Sequence, residues 1–186
     1  MAIRTNELME IISERTLYFL NDEMDIQVEE QEMNLVPGHR LELYYLTTLL
    51  TVGGGINVNV IFSYEQRLIE KMFEIYTEEV EVLPEERLEY IEETAGDIIN
   101  IVVGNSTADF KELEPINLSP PIMISEARNI AKSRSSEFFV NYFHTIHGSM
   151  SIFCVGPKHS DGLLDLSDSL EFKEASPGLE DEDEIS

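Results

Sequence analysis

From Pro84 to Asn105 the chain places Leu88, Ile91, Ala95, Ile98 and Val102 at steps of three and four residues. That spacing is one apolar stripe on a helix, and it must pack against something. Pro84 suits the first helical position, where its missing amide would have no partner, and Glu85 and Glu86 favour the positive end of the helix dipole. The pattern therefore predicts a helix that begins at Pro84. Glu93, Asp97 and Asn100 fall on a neighbouring face and are expected to look outward. Asp97 and Asn100 are one turn apart, with β-carbons roughly 5–6 Å from each other, so a carboxylate and a carboxamide can engage one incoming group together.

The rest of the chain supports one domain built around that helix. With 186 residues, 42% of them hydrophobic, it can bury one ordinary core. No apolar run approaches the roughly 18 residues of a membrane span, and Met1 to Glu7 lack a basic start followed by an apolar block. A soluble, cytoplasmic protein is expected. The single cysteine, Cys154, cannot form an internal disulfide and sits in an apolar run, where a core role is expected. A formal net charge of -25 argues against nucleic acid and against an anionic membrane, since both require Lys and Arg to replace counterions. Residues 157–186 carry ten acids and two lysines, so most of the acidity lies outside them. It serves solubility, or complements a basic patch on another protein.

Residues 5 to about 20 read as a helix capped by Thr5, with Leu8, Ile11 and Phe19 toward the core. Glu10 and Ser13 mirror the spacing of Asp97 and Asn100, but serine has no carboxamide, so no second active centre is expected. Ile26 to Val36, with Glu29, Glu30 and Glu32, suggests an exposed edge strand ended by the Pro37-Gly38 turn. Arg40 to Val52 and Ile56 to Phe62 have strand composition and form a hairpin through Gly53, Gly54 and Gly55. The three glycines read as a turn, because a phosphate loop needs a Lys-Ser/Thr pair and a following helix. Tyr64 to Tyr76 is a second helix. The central helix is expected to run past Asn105 toward Ala108 and Phe110, with Gly104 inside it. Pro115 to Ser125 is extended and threads beside a sheet edge, its prolines excluding helix. Ser136 to Ile146 and Ser149 to Val155 make a closing hairpin. His144 and His147 point to opposite faces of a strand and form no metal pair. Residues 157–186 read as a mobile acidic tail, in which Leu163, Leu164, Leu166, Leu170 and Phe172 form a short amphipathic patch.

Asp97, Asn100, Gly104 and Asn105 on one helix, then Ser119-Pro120-Pro121 leading into a strand, resemble the CheX branch of the CheC/CheX/FliY family of chemotaxis phosphatases. The likeness reaches upstream to Gly53 through Ser63 and downstream to His147 through Val155, so it spans roughly residues 5 to 156. One departure is that the family usually has Glu where this chain has Asp97. The resemblance implies an α+β, CheC-like fold, an antiparallel sheet layer under two long helices, over residues 1–156, with 157–186 as the tail. It implies a phosphatase of a phosphorylated CheY-type receiver domain, in which Asn100 orients a water and Asp97 engages the receiver's lysine. Mg²⁺ would belong to the receiver, with no cofactor or metal held by this chain, and a homodimer is expected by analogy. An adaptor that binds a receiver without turnover is the alternative of a different class, and a purely structural oligomer subunit is a third.

Overall fold

The computed structural model describes residues 4–35, 40–108, 115–124, 127–132, 136–157 and 170–174. The elements run in the order α1 (Thr5–Tyr18), a π-helical turn (Phe19–Glu23), β1 (Val28–Leu35), β2 (Arg40–Glu42), β3 (Leu46–Gly54), β4 (Val58–Tyr64), α2 (Gln66–Tyr76), α3 (Arg87–Thr107), β5 (Ile116–Leu118), β6 (Ile122–Ile124), β7 (Ala127–Lys132), β8 (Ser136–Thr145), β9 (Gly148–Pro157) and β10 (Leu170–Glu174). This is the expected α+β class with an antiparallel sheet, carrying three α-helices. Seven strands make the main sheet in the order β1-β8-β9-β4-β3-β5, with β6 also on β3, and a three-stranded sheet runs β10-β7-β2.

Register sorts the side chains into two layers because alternate residues of a strand face opposite ways. Leu49 pairs with Ile61, Ile61 with Phe153 and Phe153 with Val140, and this row forms one buried apolar cluster with Leu43, Phe138 and Val155. The neighbouring row, Leu50, Val60 and Cys154, joins the larger cluster that holds the inner faces of the helices. Helix α1 packs on β8 and β9, α3 on β3 and on α1, and α2 against α3 and β9. Cys154 is fully buried, and burial pushes its thiol well above the ordinary range, consistent with a core role.

Several boundaries differ from the sequence reading for local reasons. Thr5 is buried as the first residue of α1, and it is the Glu7 carboxylate that accepts the Arg4 amide at 2.9 Å. Leu8 and Phe19 are buried as expected, whereas Ile11 is only half-buried. The strand expected from Arg40 to Val52 divides at Leu43–Tyr45, where the chain passes from the small sheet to the large one. There Leu43 is buried and the Tyr44 amide donates to Ser63 Oγ at 2.8 Å.

Helix α3 begins at Arg87, after a turn over Pro84–Glu86. That turn delivers Arg87 onto α2, its guanidinium 4.8 Å from the Phe73 ring centroid. Leu88 is left 56% exposed, so the packed stripe starts at Ile91. Leu170, expected at a helical step from Leu166, and Phe172 of the same expected amphipathic patch lie on the extended β10, paired with β7. The Pro37-Gly38 turn, Phe110, and Leu163, Leu164 and Leu166 fall outside the described residues.

Of the three glycines read as a turn, only Gly55 lies in the connection; Gly53 and Gly54 belong to β3 and pair with Asn117 and Ile116 of β5. Gly54 has φ +99°, and a β-carbon there would overlap the carbonyl oxygen of Pro115. Gly54→Ala is therefore expected to lower the free energy of unfolding by at least about 1–3 kcal/mol, the range for a strained backbone conformation, as read by urea denaturation.

Candidate active site

Helix α3 divides its residues by face. Ile91, Ala95, Ile98, Ile99, Val102 and Val103 are essentially buried. The polar residues on this inner side are satisfied within the helix: Thr94 donates to the Tyr90 carbonyl at 2.7 Å, Ser106 to Val102 at 2.7 Å and Thr107 to Val103 at 2.9 Å. Such back-bonding lets hydroxyls enter a core without unpaired donors. Glu93, Asp97, Asn100 and Asn105 remain exposed on the outer side. The two residues singled out by spacing thus stand on the solvent face of a helix whose other face is fully committed to packing.

Asp97 and Asn100 line a groove of about 410 Å³, together with Glu92, Glu93, Gly96, Pro121 and Met123. The far wall comes from the segment that the prolines kept extended. β5 and β6 both pair with β3, at Val52–Gly54 and at Thr47–Leu49, and Ser119, Pro120 and Pro121 bridge them. Ser119 maintains the ladder across this step. Its amide donates to the Thr51 carbonyl at 2.9 Å, and its Oγ accepts the Thr51 amide at 2.9 Å. The Ser119 hydroxyl oxygen thus stands in for a strand carbonyl as acceptor of the Thr51 amide at the point where the partner strand is interrupted.

Gly96 sets how closely this wall approaches α3. A β-carbon there would lie 3.3 Å from Met123 Cε and 3.5 Å from Pro121 Cγ. At Gly104 an added β-carbon would meet, among the described residues, only Leu118 Cδ1, at 3.9 Å. Among the described residues no backbone approaches this glycine closely.

Tyr76, at the end of α2, is the ionisable neighbour that responds to Asp97. Burial raises its phenol pKa above the ordinary range, and the charges of Asp97 and then Glu23 raise it further. Nothing in the sequence pattern linked Tyr76 to the Asp97 face, because the two meet only when α2 packs on α3.

The Glu10 and Ser13 pair does not reproduce this arrangement. Glu10 is exposed, whereas Ser13 is buried, its hydroxyl without a partner among the described residues. On α1 the residues three apart straddle the boundary between solvent and core, so they share no surface. A second groove, about 310 Å³, lies instead between α1 and the end of α3, lined by Ile11, Glu14, Arg15, Tyr18, Asn105 and Ser106. The His144 ring stacks on Tyr142 and its Nδ1 lies 2.8 Å from Ser149 Oγ.

Gly96, Pro121 and Met123 were not expected at the site. The prolines signalled an extended segment, but its position against α3 depends on pairing with β3, which is not local information.

This fold and this helix face define a class of protein, and residues 46–144 match the family model of the chemotaxis phosphatase CheX. The chain belongs to that family. Its structure is similar to a chemotaxis protein CheX from Desulfovibrio desulfuricans, with 13% identity, TM-score 0.67, and coverage of 80% of this chain and 97% of that one. It is similar to a CheC-like superfamily protein from a Shewanella species, with 18% identity, TM-score 0.64, and coverage of 80% and 96%. A CheX-CheY-BeF3-Mg²⁺ complex from Borrelia burgdorferi is similar at 15% identity, TM-score 0.60, with coverage of 82% and 98%. No curated protein matches the sequence. Among the described residues no helix is long and apolar enough to cross a membrane.

Two outcomes check this geometry. Gly96→Ala is expected to leave stability unchanged or raise it by up to about 1 kcal/mol, the helix preference of alanine over glycine, because the flexible end of Met123 can yield; thermal unfolding measures it. Asp97→Asn removes one of the charges that raise the Tyr76 pKa, so the phenol should titrate at lower pH, as followed by tyrosinate absorbance with Tyr76→Phe to assign the transition.

Proposed function

We propose that this chain is a protein-aspartyl-phosphate phosphatase acting on a phosphorylated CheY-type receiver domain in the cytoplasm. The observation that supports the reading best is the joint exposure of Asp97 and Asn100 on one groove beside the Pro121 and Met123 wall. An acyl phosphate is labile by itself, so a phosphatase for it can work by positioning a water in line with phosphorus, without a covalent intermediate. In this reading the Asn100 carboxamide accepts a hydrogen bond from that water and donates one to a phosphoryl oxygen, and it carries no charge that would repel the anion. The water oxygen bonds to phosphorus as the bond to the receiver's aspartate breaks. The aspartate leaves as carboxylate with the bonding electrons, and both protons of the water end on inorganic phosphate, released as dihydrogen phosphate.

Asp97 engages the receiver's active-site lysine by a charge-assisted hydrogen bond, which fixes the docking register and frees the phosphoryl group from that contact. Being one methylene shorter than glutamate, it draws the lysine closer to α3. Mg²⁺ offsets the developing charge and is held by the receiver. The proposal includes a homodimer, which sedimentation at micromolar concentration tests.

Phosphate release from a panel of phosphorylated receivers of the same genome is the decisive assay. Asn100→Ala should lower the rate by about 100-fold or more, the loss expected when a reacting group is misplaced, while receiver affinity is kept. Asp97→Glu should retain turnover and Asp97→Ala lose it. Receiver binding without turnover by the unsubstituted chain would establish the adaptor instead.

A further inference from the structure

The groove between α1 and α3 contains a preorganised pair that the proposed phosphatase chemistry does not use. The Arg15 guanidinium lies 4.9 Å from the centroid of the Tyr18 ring and donates to the Glu23 carboxylate at 3.2 Å. Tyr18 is nonetheless 48% exposed. An aromatic ring held in place by a cation, itself held by an acid, loses little further freedom when a partner covers it, and Tyr and Arg are the side chains that most often anchor interfaces. Among the residues lining the two grooves, Arg15 is the one cation, beside Glu14, Glu92, Glu93 and Asp97.

The pair is continuous with the Asp97 row. Asp97, Ile101 and Asn105 follow at four-residue steps along one side of α3, and Ile101 is 37% exposed. Asn105 then lines the groove that holds Arg15 and Tyr18. It lies five residues beyond Asn100, about 7.5 Å along the axis and about 140° around it, with Asp97 and Ile101 at intermediate angles, at 1.5 Å and about 100° per residue. A specific interface covers about 800 Å² on each partner, a disc of roughly 16 Å radius. A folded domain centred over Asp97 and Asn100 is wide enough to cover Ile101 and to reach the Asn105 edge of the α1 groove.

We propose that the face formed by Tyr18, Arg15, Ile101 and Asn105 is the affinity anchor for the same receiver domain whose phosphoaspartate meets Asn100. This rests on the phosphatase reading and adds to it a division of labour: Asp97 and Asn100 act on the reacting group, whereas the Tyr18 ring, positioned by Arg15, holds the receiver through apolar contact beside its phosphorylation site.

The test uses the full chain and a panel of receiver domains loaded with beryllofluoride and Mg²⁺ as phosphoryl mimic. Kd is read by titration, and kcat from phosphate release with the phosphorylated receivers. Tyr18→Ala should raise Kd about tenfold, the loss typical of an interface anchor, and leave kcat at saturation within about twofold. Tyr18→Phe keeps the ring and should bind like the unsubstituted chain, and an unchanged unfolding midpoint confirms that the fold is intact. Asn100→Ala should behave oppositely, keeping Kd and losing kcat. The anchor is overturned if Tyr18→Ala binds normally while Asn100→Ala still abolishes turnover, whatever Ile101→Ala does. It is overturned as well if Tyr18→Ala separates a dimer into monomers at unchanged receiver affinity, which assigns the face to self-association. If the unsubstituted chain neither binds nor dephosphorylates any receiver, the phosphatase reading itself fails and the anchor with it.

Discussion

The burial of one side of α3 is the interaction on which the molecule depends. Ile91, Ala95, Ile98, Ile99, Val102 and Val103 leave water almost completely, and fully burying a side chain of the larger kinds stabilises by about 1.5–3 kcal/mol. That commitment holds the helix against β3 and α1. An exposed carboxylate and amide on the opposite side contribute little to folding, so their identity is open to functional demands. The helix is rigid because of one face, and its other face can therefore present groups in a defined direction to a visitor.

The edge of the main sheet determines what stands beside that face. Two short strands, β5 and β6, share the outer edge of β3, and the Ser119-Pro120-Pro121 step between them turns part of the edge toward α3. The prolines give up amide donors, and Ser119 supplies a hydroxyl where the ladder would otherwise be interrupted. Pro121 and Met123 then wall the groove opposite Asp97 and Asn100, with Gly96 allowing the approach. At the other edge, β1 carries exposed Glu29, Glu30 and Glu32, the kind of charge that keeps an edge from uncontrolled strand pairing.

Two groups of residues flank the exposed row of α3. On the β6 side lie Pro121 and Met123; on the α1 side lie Tyr18, Arg15 and Ile11. A polar centre bordered by apolar and aromatic side chains is suited to a folded partner, since such a border excludes water from the contact while the centre sets its orientation.

Periodicity by itself determined the three helices, the closing hairpin, the edge character of the Glu29–Glu32 strand, and the placement of Asp97 and Asn100 on an exposed face. These depend on residues within a few positions of each other, where steps of two, three and four decide which side chains share a surface. Tertiary structure alone decided that Leu88 stays in water while Arg87 packs on Phe73, that Gly54 admits the backbone of Pro115, and that Ser13 turns inward. It also decided that Pro121 and Met123 border the Asp97 groove, that Tyr18 and Arg15 line a second groove with Asn105, and that Tyr76 feels Asp97. Each of these joins segments distant in sequence, and the register and packing that bring such segments together leave no local periodicity to read.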